Sequence, residues 1–173
     1  MEYEAENIEE AMASWATLIP DLDVVTMRTT LLFGRAGQLG RQHVEAAFAE
    51  CGLSSGEFDV LASLIHAPDN TSKPSQLARR GILSPAGMTN RLDRLEKAGW
   101  VERRPDPDDR RSTFVVLTDA GRAKAIEAAR AHADAEAELF AVLNATERRQ
   151  LDQILGRLLG AYDAARLAPT TDP

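Results

Sequence analysis

Between Ser72 and Arg122 the chain twice places a proline just inside a helical pattern, then follows the second pattern with two alternating strands around a charged tip. Proline suits the first turn of a helix, where its missing N–H would have had no partner, and breaks a helix interior. Pro74 therefore starts a short helix through Arg80 and Gly81 makes a turn. Pro85, behind the capping residue Ser84, starts a second helix that Gly99 terminates. Met88, Leu92 and Leu95 recur at spacings of four and three and form the inner face of that helix, while Ser84, Thr89, Asn90, Arg94 and Lys97 fall outward. Trp100–Arg104 reads as a strand, PDPDDRR as a rigid tip and Ser112–Leu117 as a second strand with Thr113, Val115 and Leu117 alternating. Helix, turn, helix and hairpin in this order predict a winged helix-turn-helix.

The charge distribution points the same way. Ser72–Arg122 carries eleven basic and seven acidic residues, a net of +4, whereas the rest of the chain holds 9 basic and 20 acidic residues, a net of −11. An overall charge of −7 thus hides a basic island. A polyanion such as duplex DNA would be met by that island, with the acidic remainder held away from it. The bland alternative is a winged helix used for protein contacts, its basic residues a solvated face.

Helical patterns flank the island. Ile8, Met12, Trp15 and Ile19 predict an N-terminal helix over Asn7–Ile19, stopped by Pro20. A longer helix over Asp23–Glu50 carries Leu31, Leu32, Leu39, Val44 and Phe48 but also Gly34, Gly37 and Gly40. Each interior glycine costs about 1 kcal/mol relative to alanine, so the three imply either close helix approach at a dimer axis or a bend. Cys51-Gly52 ends this helix, and Ser54 with Glu57 forms the S-x-x-E capping box of the next, whose Phe58, Leu61 and Ile65 line one face while Asp59 lies off it. Pro68–Ser72 reads as a loop. Thr118 caps a long alanine-rich helix reaching Phe140 or beyond, and Thr146 is expected to cap a last one through Leu151, Leu155, Leu158, Leu159 and Tyr162.

The predicted fold is therefore mainly α with a small β-hairpin wing, a winged helix-turn-helix flanked by long dimerisation helices. Its expected parts are an N-terminal helix over 1–20, a dimerisation helix over 21–52, the DNA-binding region over 53–122, C-terminal dimerisation helices over 123–167 and a frayed tail over 168–173. With 44% apolar and 27% charged residues the composition is that of a soluble globular chain. An acidic N-terminus without a signal-like apolar run, and no stretch of ~18 apolar residues, predict a cytoplasmic protein with no membrane partner.

Little supports catalysis. The G-x-S-x-G, P-loop, G-x-G-x-x-G and H-E-x-x-H patterns are absent, and His43, His66 and His132 share no metal-ligand spacing with the single cysteine, so no enzyme, metal or cofactor is expected. Cys51 has no second thiol in the chain to resolve a sulfenate and reads as a partly buried structural residue at a helix end.

The run SPAGMTNRLDRLEKAGWVERRPDPDDRRSTFVVLTDAGR resembles the recognition helix, wing and following helix start of the MarR family of bacterial transcriptional regulators, and the flanking helices extend the likeness over roughly residues 23–165. The resemblance implies a homodimer that binds a pseudo-palindromic double-stranded DNA operator and represses. It also implies a wing tip in which Asp109 supports Arg110 and Arg111, an arginine entering the minor groove.

A narrower resemblance rests on the N-terminal helix with Trp15, on Asp59, on Arg91 in the recognition helix and on Arg103 in the first wing strand. Together they are similar to the urate-responsive branch of the family, where these residue types line a pocket between the dimer platform and the DNA-reading lobe. A flat anionic heterocycle can stack on an indole and bond to a guanidinium while repelling a nearby carboxylate. Two unit charges ~4 Å apart at an effective dielectric of ~20 repel by about 4 kcal/mol, close to the ~5.5 kcal/mol that inverts a 1:99 equilibrium. A different carboxylate or phenolic anion would use Arg91 and Arg103 with less need of Trp15.

Overall fold

The computed structural model describes residues 5–80, 85–107 and 112–167. Its elements are α1 (Ala5–Leu18), α2 (Val24–Glu50), α3 (Ser55–Ile65), a 3-10 turn (Pro68–Asn70), β1 (Thr71–Ser72), α4 (Pro74–Arg80), α5 (Pro85–Lys97), β2 (Val101–Pro105), β3 (Thr113–Leu117), α6 (Asp119–Leu139) and α7 (Ala145–Leu167). The expected mainly helical winged helix-turn-helix is present. Gly81 and Ser84, assigned above to the turn and its cap, and the wing-tip residues 108–111 lie outside the described residues.

Local chemistry sets the helix ends. Asp23 caps α2 by accepting from the Thr26 hydroxyl at 2.6 Å and the Thr26 N–H at 2.9 Å, which hold its carboxyl below the ordinary aspartate range. Gly52 and Gly99, at φ +69° and +74°, occupy the left-handed position after α2 and α5. There the N–H groups of Leu53 and Trp100 reach back to the carbonyls of Phe48 and Leu95. One expected cap is corrected. The carboxamide oxygen of Asn144, not the Thr146 hydroxyl, accepts from the N–H groups of Thr146 and Glu147 at 2.9 and 3.1 Å. Glu147 returns a carboxylate to the Asn144 N–H at 2.8 Å, completing a capping box two residues earlier than the sequence suggested.

The wing is a three-stranded antiparallel sheet in the order β1-β3-β2, with Arg103 opposite Val115 and Thr71 opposite Val116. The two-residue β1 falls in the stretch read as loop. Phe48, Leu61, Leu64, Leu92, Leu95, Val101 and Val115 form one core that joins α2, α3, α5 and the sheet, so the reading helix and wing stand on a packed base. α2 lies along α6, and Gly40 serves that approach, since a Cβ there would sit 3.1 Å from Leu139 Cδ2. Gly34 faces open space in the chain, and the nearest atom to a Cβ on Gly37 is Arg41 Nη1 at 3.8 Å.

Among the described residues α7 packs extensively against no other element, and its Leu159 is 65% exposed. Phe33 on α2 is 61% exposed. No helix among the described residues is long and apolar enough to cross a membrane.

Candidate functional site

The amphipathic pattern of α5 seats Met88, Leu92 and Leu95 in the core and leaves Thr89, Asn90, Arg94 and Lys97 exposed on the opposite side, as the sequence predicted. The remaining faces of the helix are tied down by its own charges. Arg103 of β2 donates from Nη2 to Asp93 at 2.6 Å and from Nη1 to Glu96 at 2.9 Å, and its backbone N–H also reaches Glu96 at 3.1 Å. These bonds couple α5 to the wing. On the other side of the wing Lys73, just before α4, pairs at 2.7 Å with Asp106, which is buried, and lies over the Phe114 ring. Asp106 in turn donates its N–H to the Ser112 carbonyl, so the ends of the described hairpin are held to α4.

Toward α3 the contacts come from Arg91 and Arg94. Arg94 Nε pairs with Glu57 Oε1 at 3.0 Å. Glu57 is 2% exposed, whereas the Arg94 side chain is 71% exposed, so a buried carboxylate holds an outward-facing guanidinium by one edge. The Arg91 guanidinium packs over Gly56, where a Cβ would lie 2.5 Å from Cζ, Nε and Nη2. Its Nη1 is buried and has no hydrogen-bond partner.

The residues singled out from the sequence are only partly brought together. Arg91 rests on the start of α3, Asp59 is exposed one turn further along that helix, and no ion pair joins the two. Arg103 is engaged by Asp93 and Glu96. Trp15 lines a separate cleft of about 500 Å³ between α1 and α2, with Met12, Met27, Leu31, Arg35 and Gln38; Asp59, Arg91 and Arg103 do not line it. Ser84, Asp109, Arg110 and Arg111 fall outside the described residues. Sequence reasoning missed Asp93, Glu96 and Lys73 as fasteners of the wing and saw Glu57 as a cap alone. The i, i+3 spacing of Asp93 and Glu96, which puts two carboxylates on one helix face, was the available signal.

A helix-turn-helix backed by an antiparallel wing, with a basic helix face exposed and its flanks pinned, defines the class as a winged helix-turn-helix protein. The MarR family model matches residues 53–113. Over 154 residues the chain is 34% identical to the HTH-type transcriptional regulator PecS of Dickeya dadantii, covering 88% of this chain and 92% of PecS. Among solved structures it is similar to Sco3205, a MarR family transcriptional regulator from Streptomyces coelicolor in complex with DNA, with a TM-score of 0.69, 25% identity, and 86% and 91% of the two chains covered. It is also similar to a mutant E. coli MarR complexed with operator DNA, with a TM-score of 0.62, 27% identity, and 84% and 97% covered. The chain belongs to the MarR family: it is a transcriptional regulator of that type and not an enzyme.

Proposed function

We propose that two copies of this chain bind a pseudo-palindromic operator and repress transcription until urate or a related purine anion releases them. α5 enters the major groove, where Thr89, Asn90, Arg94 and Lys97, with Ser84 at its start, meet bases and phosphates. Arg110 and Arg111, supported by Asp109, meet the minor groove. The fold shared with two relatives solved on DNA supports this reading, as does the exposed basic face of α5. Pairing of copies is supported by the exposed apolar residues of α2 and α7, which no other part of the described chain covers.

The observation that carries the ligand reading is Arg91, whose buried Nη1 lacks an acceptor. A buried guanidinium nitrogen without a partner is costly, and an anion beside it removes that cost. Arg103 adds the route to DNA. An anion that draws Arg103 away from Asp93 and Glu96 loosens the wing from the reading helix. Trp15 supplies the stacking face once copies and elements close around the ligand, and Asp59 supplies the repelled charge.

Urate or xanthine is therefore expected to quench Trp15 emission and to release operator in the same concentration range, with a Trp15→Phe variant separating the Trp100 background. Asp59→Asn should bind operator like the parent yet need about 10-fold or more urate for release, because the repelled charge is gone. Fluorescence anisotropy of labelled operator measures both. Release of Asp59→Asn at the parent's urate concentration contradicts charge repulsion, whereas a parent that ignores purines but yields to another organic acid moves the ligand assignment to that class.

A further inference from the structure

Glu57 gathers three polar contacts at one point. Oε2 takes the Ser54 N–H at 2.8 Å and the Ser54 hydroxyl at 2.9 Å, completing the capping box of α3, while Oε1 forms an ion pair with Arg94, 3.0 Å from its Nε. The carboxylate is buried at 2% exposure and sits in the first turn of α3, where backbone N–H groups favour negative charge. It is anchored by a helix start, so it cannot follow Arg94 outward.

We infer that Glu57 is a positioning residue for DNA reading: it grips the Nε edge of Arg94 and presents the opposite, paired-nitrogen edge to a guanine. The inference rests on the assignment of α5 as the helix that enters the groove. An unrestrained arginine loses much side-chain entropy when it docks, whereas one held at Nε has lost part of it beforehand and keeps two Nη donors in the plane that matches guanine O6 and N7. Arg94 is exposed by 71% of its side chain, so those donors are open to solvent while Nε is engaged. Lys97, the other exposed cation of this face, has no such buttress among the described residues and is suited to a phosphate contact instead.

Three properties separate a positioning role from a purely structural one: operator affinity, affinity for random duplex, and the penalty for removing one guanine acceptor. The test uses full-length protein, an operator selected by that protein from random duplexes, and the same operator with 7-deazaguanine replacing each half-site guanine in turn. The parent should lose about 10-fold in affinity at one guanine when N7 is removed, as expected for one bidentate base contact. Glu57→Gln keeps a residue that also serves in capping boxes but turns the acceptor facing Arg94 into a donor. It should bind the operator about 10-fold more weakly, bind random duplex as the parent does, and show less than a 2-fold deazaguanine penalty.

A Glu57→Gln protein that keeps the parent's penalty overturns the inference. Arg94→Ala separates this from failure of the underlying reading: if it too keeps the penalty, another residue reads the base and the role of Arg94 falls with the buttress. The parent alone supplies a second measurement that survives poor folding of the variant. Arg94 Nε should report a restrained side chain by NMR relaxation both free and on operator, and loss of that restraint on operator overturns the inference.

Discussion

Gly121→Val is expected to leave no folded protein at ordinary temperature, and even Gly121→Ala should lose at least ~3 kcal/mol in urea unfolding. A Cβ on Gly121 would fall far inside the van der Waals contact distance of the Trp100 carbonyl oxygen, 2.8 Å from the Trp100 carbonyl carbon and 3.0 Å from Leu117 Cδ1. The obstacle is backbone, and it is locked. The Trp100 N–H is bonded to Leu95, its carbonyl accepts from Thr118, and the Thr118 hydroxyl donates to the Gly99 carbonyl at 2.7 Å while accepting from the Gly121 N–H at 2.9 Å. At an open helical position glycine to alanine gains about 1 kcal/mol, so the expected sign is opposite to propensity. Because the start of α6 crosses the seam between α5 and β2, the same substitution removes operator binding. A Gly121→Ala protein with the parent's midpoint would show that this seam is not tight.

Operator affinity is expected to fall by about 10³- to 10⁵-fold between roughly 50 and 200 mM salt, if the paired copies neutralise ~6 to 10 phosphates. The acidic remainder of the chain, net −11, does not prevent binding. At physiological ionic strength charges more than ~8 Å from the duplex are largely screened, so the nearby basic island dominates. Replacing Lys97 by alanine should flatten the salt slope by about one phosphate and leave base preference alone, unlike Arg94→Ala, which should narrow the gap between operator and random duplex. Anisotropy titrations at four salt concentrations give both slopes. An operator affinity independent of salt would exclude a phosphate-dominated interface.

Much of the architecture was legible because it is local. Pro74 and Pro85 mark helix starts, Ser54 with Glu57 and Thr118 mark caps, Gly52 and Gly99 mark ends, and the alternation of Thr113, Val115 and Leu117 marks the strand. What escaped depends on partners distant in sequence. β1 is two residues that count as strand only because they meet Val115 and Val116. The expected cap Thr146 gives way to Asn144, which was not foreseen from the sequence, because Glu147 stands three residues after Asn144 and can return the bond. In the site, the outward face of α5 followed from periodicity, but the second partner of Glu57 and the carboxylates that hold Arg103 are tertiary facts. The proposed ligand residues illustrate the limit: a pattern can place Trp15, Asp59, Arg91 and Arg103 in their helices and strand, yet the single chain keeps Trp15 in a cleft of its own.

The most direct measurement of the central claim, that paired copies read a duplex through α5 and the wing, is hydroxyl-radical footprinting of the selected operator with the stoichiometry determined by sedimentation. Two chains per duplex and two protected half-sites centred about one helical turn apart, ~34 Å, are predicted, with flanking minor-groove protection where the wings reach. A single chain per duplex, or protection that is the same on operator and on scrambled DNA, would contradict the claim.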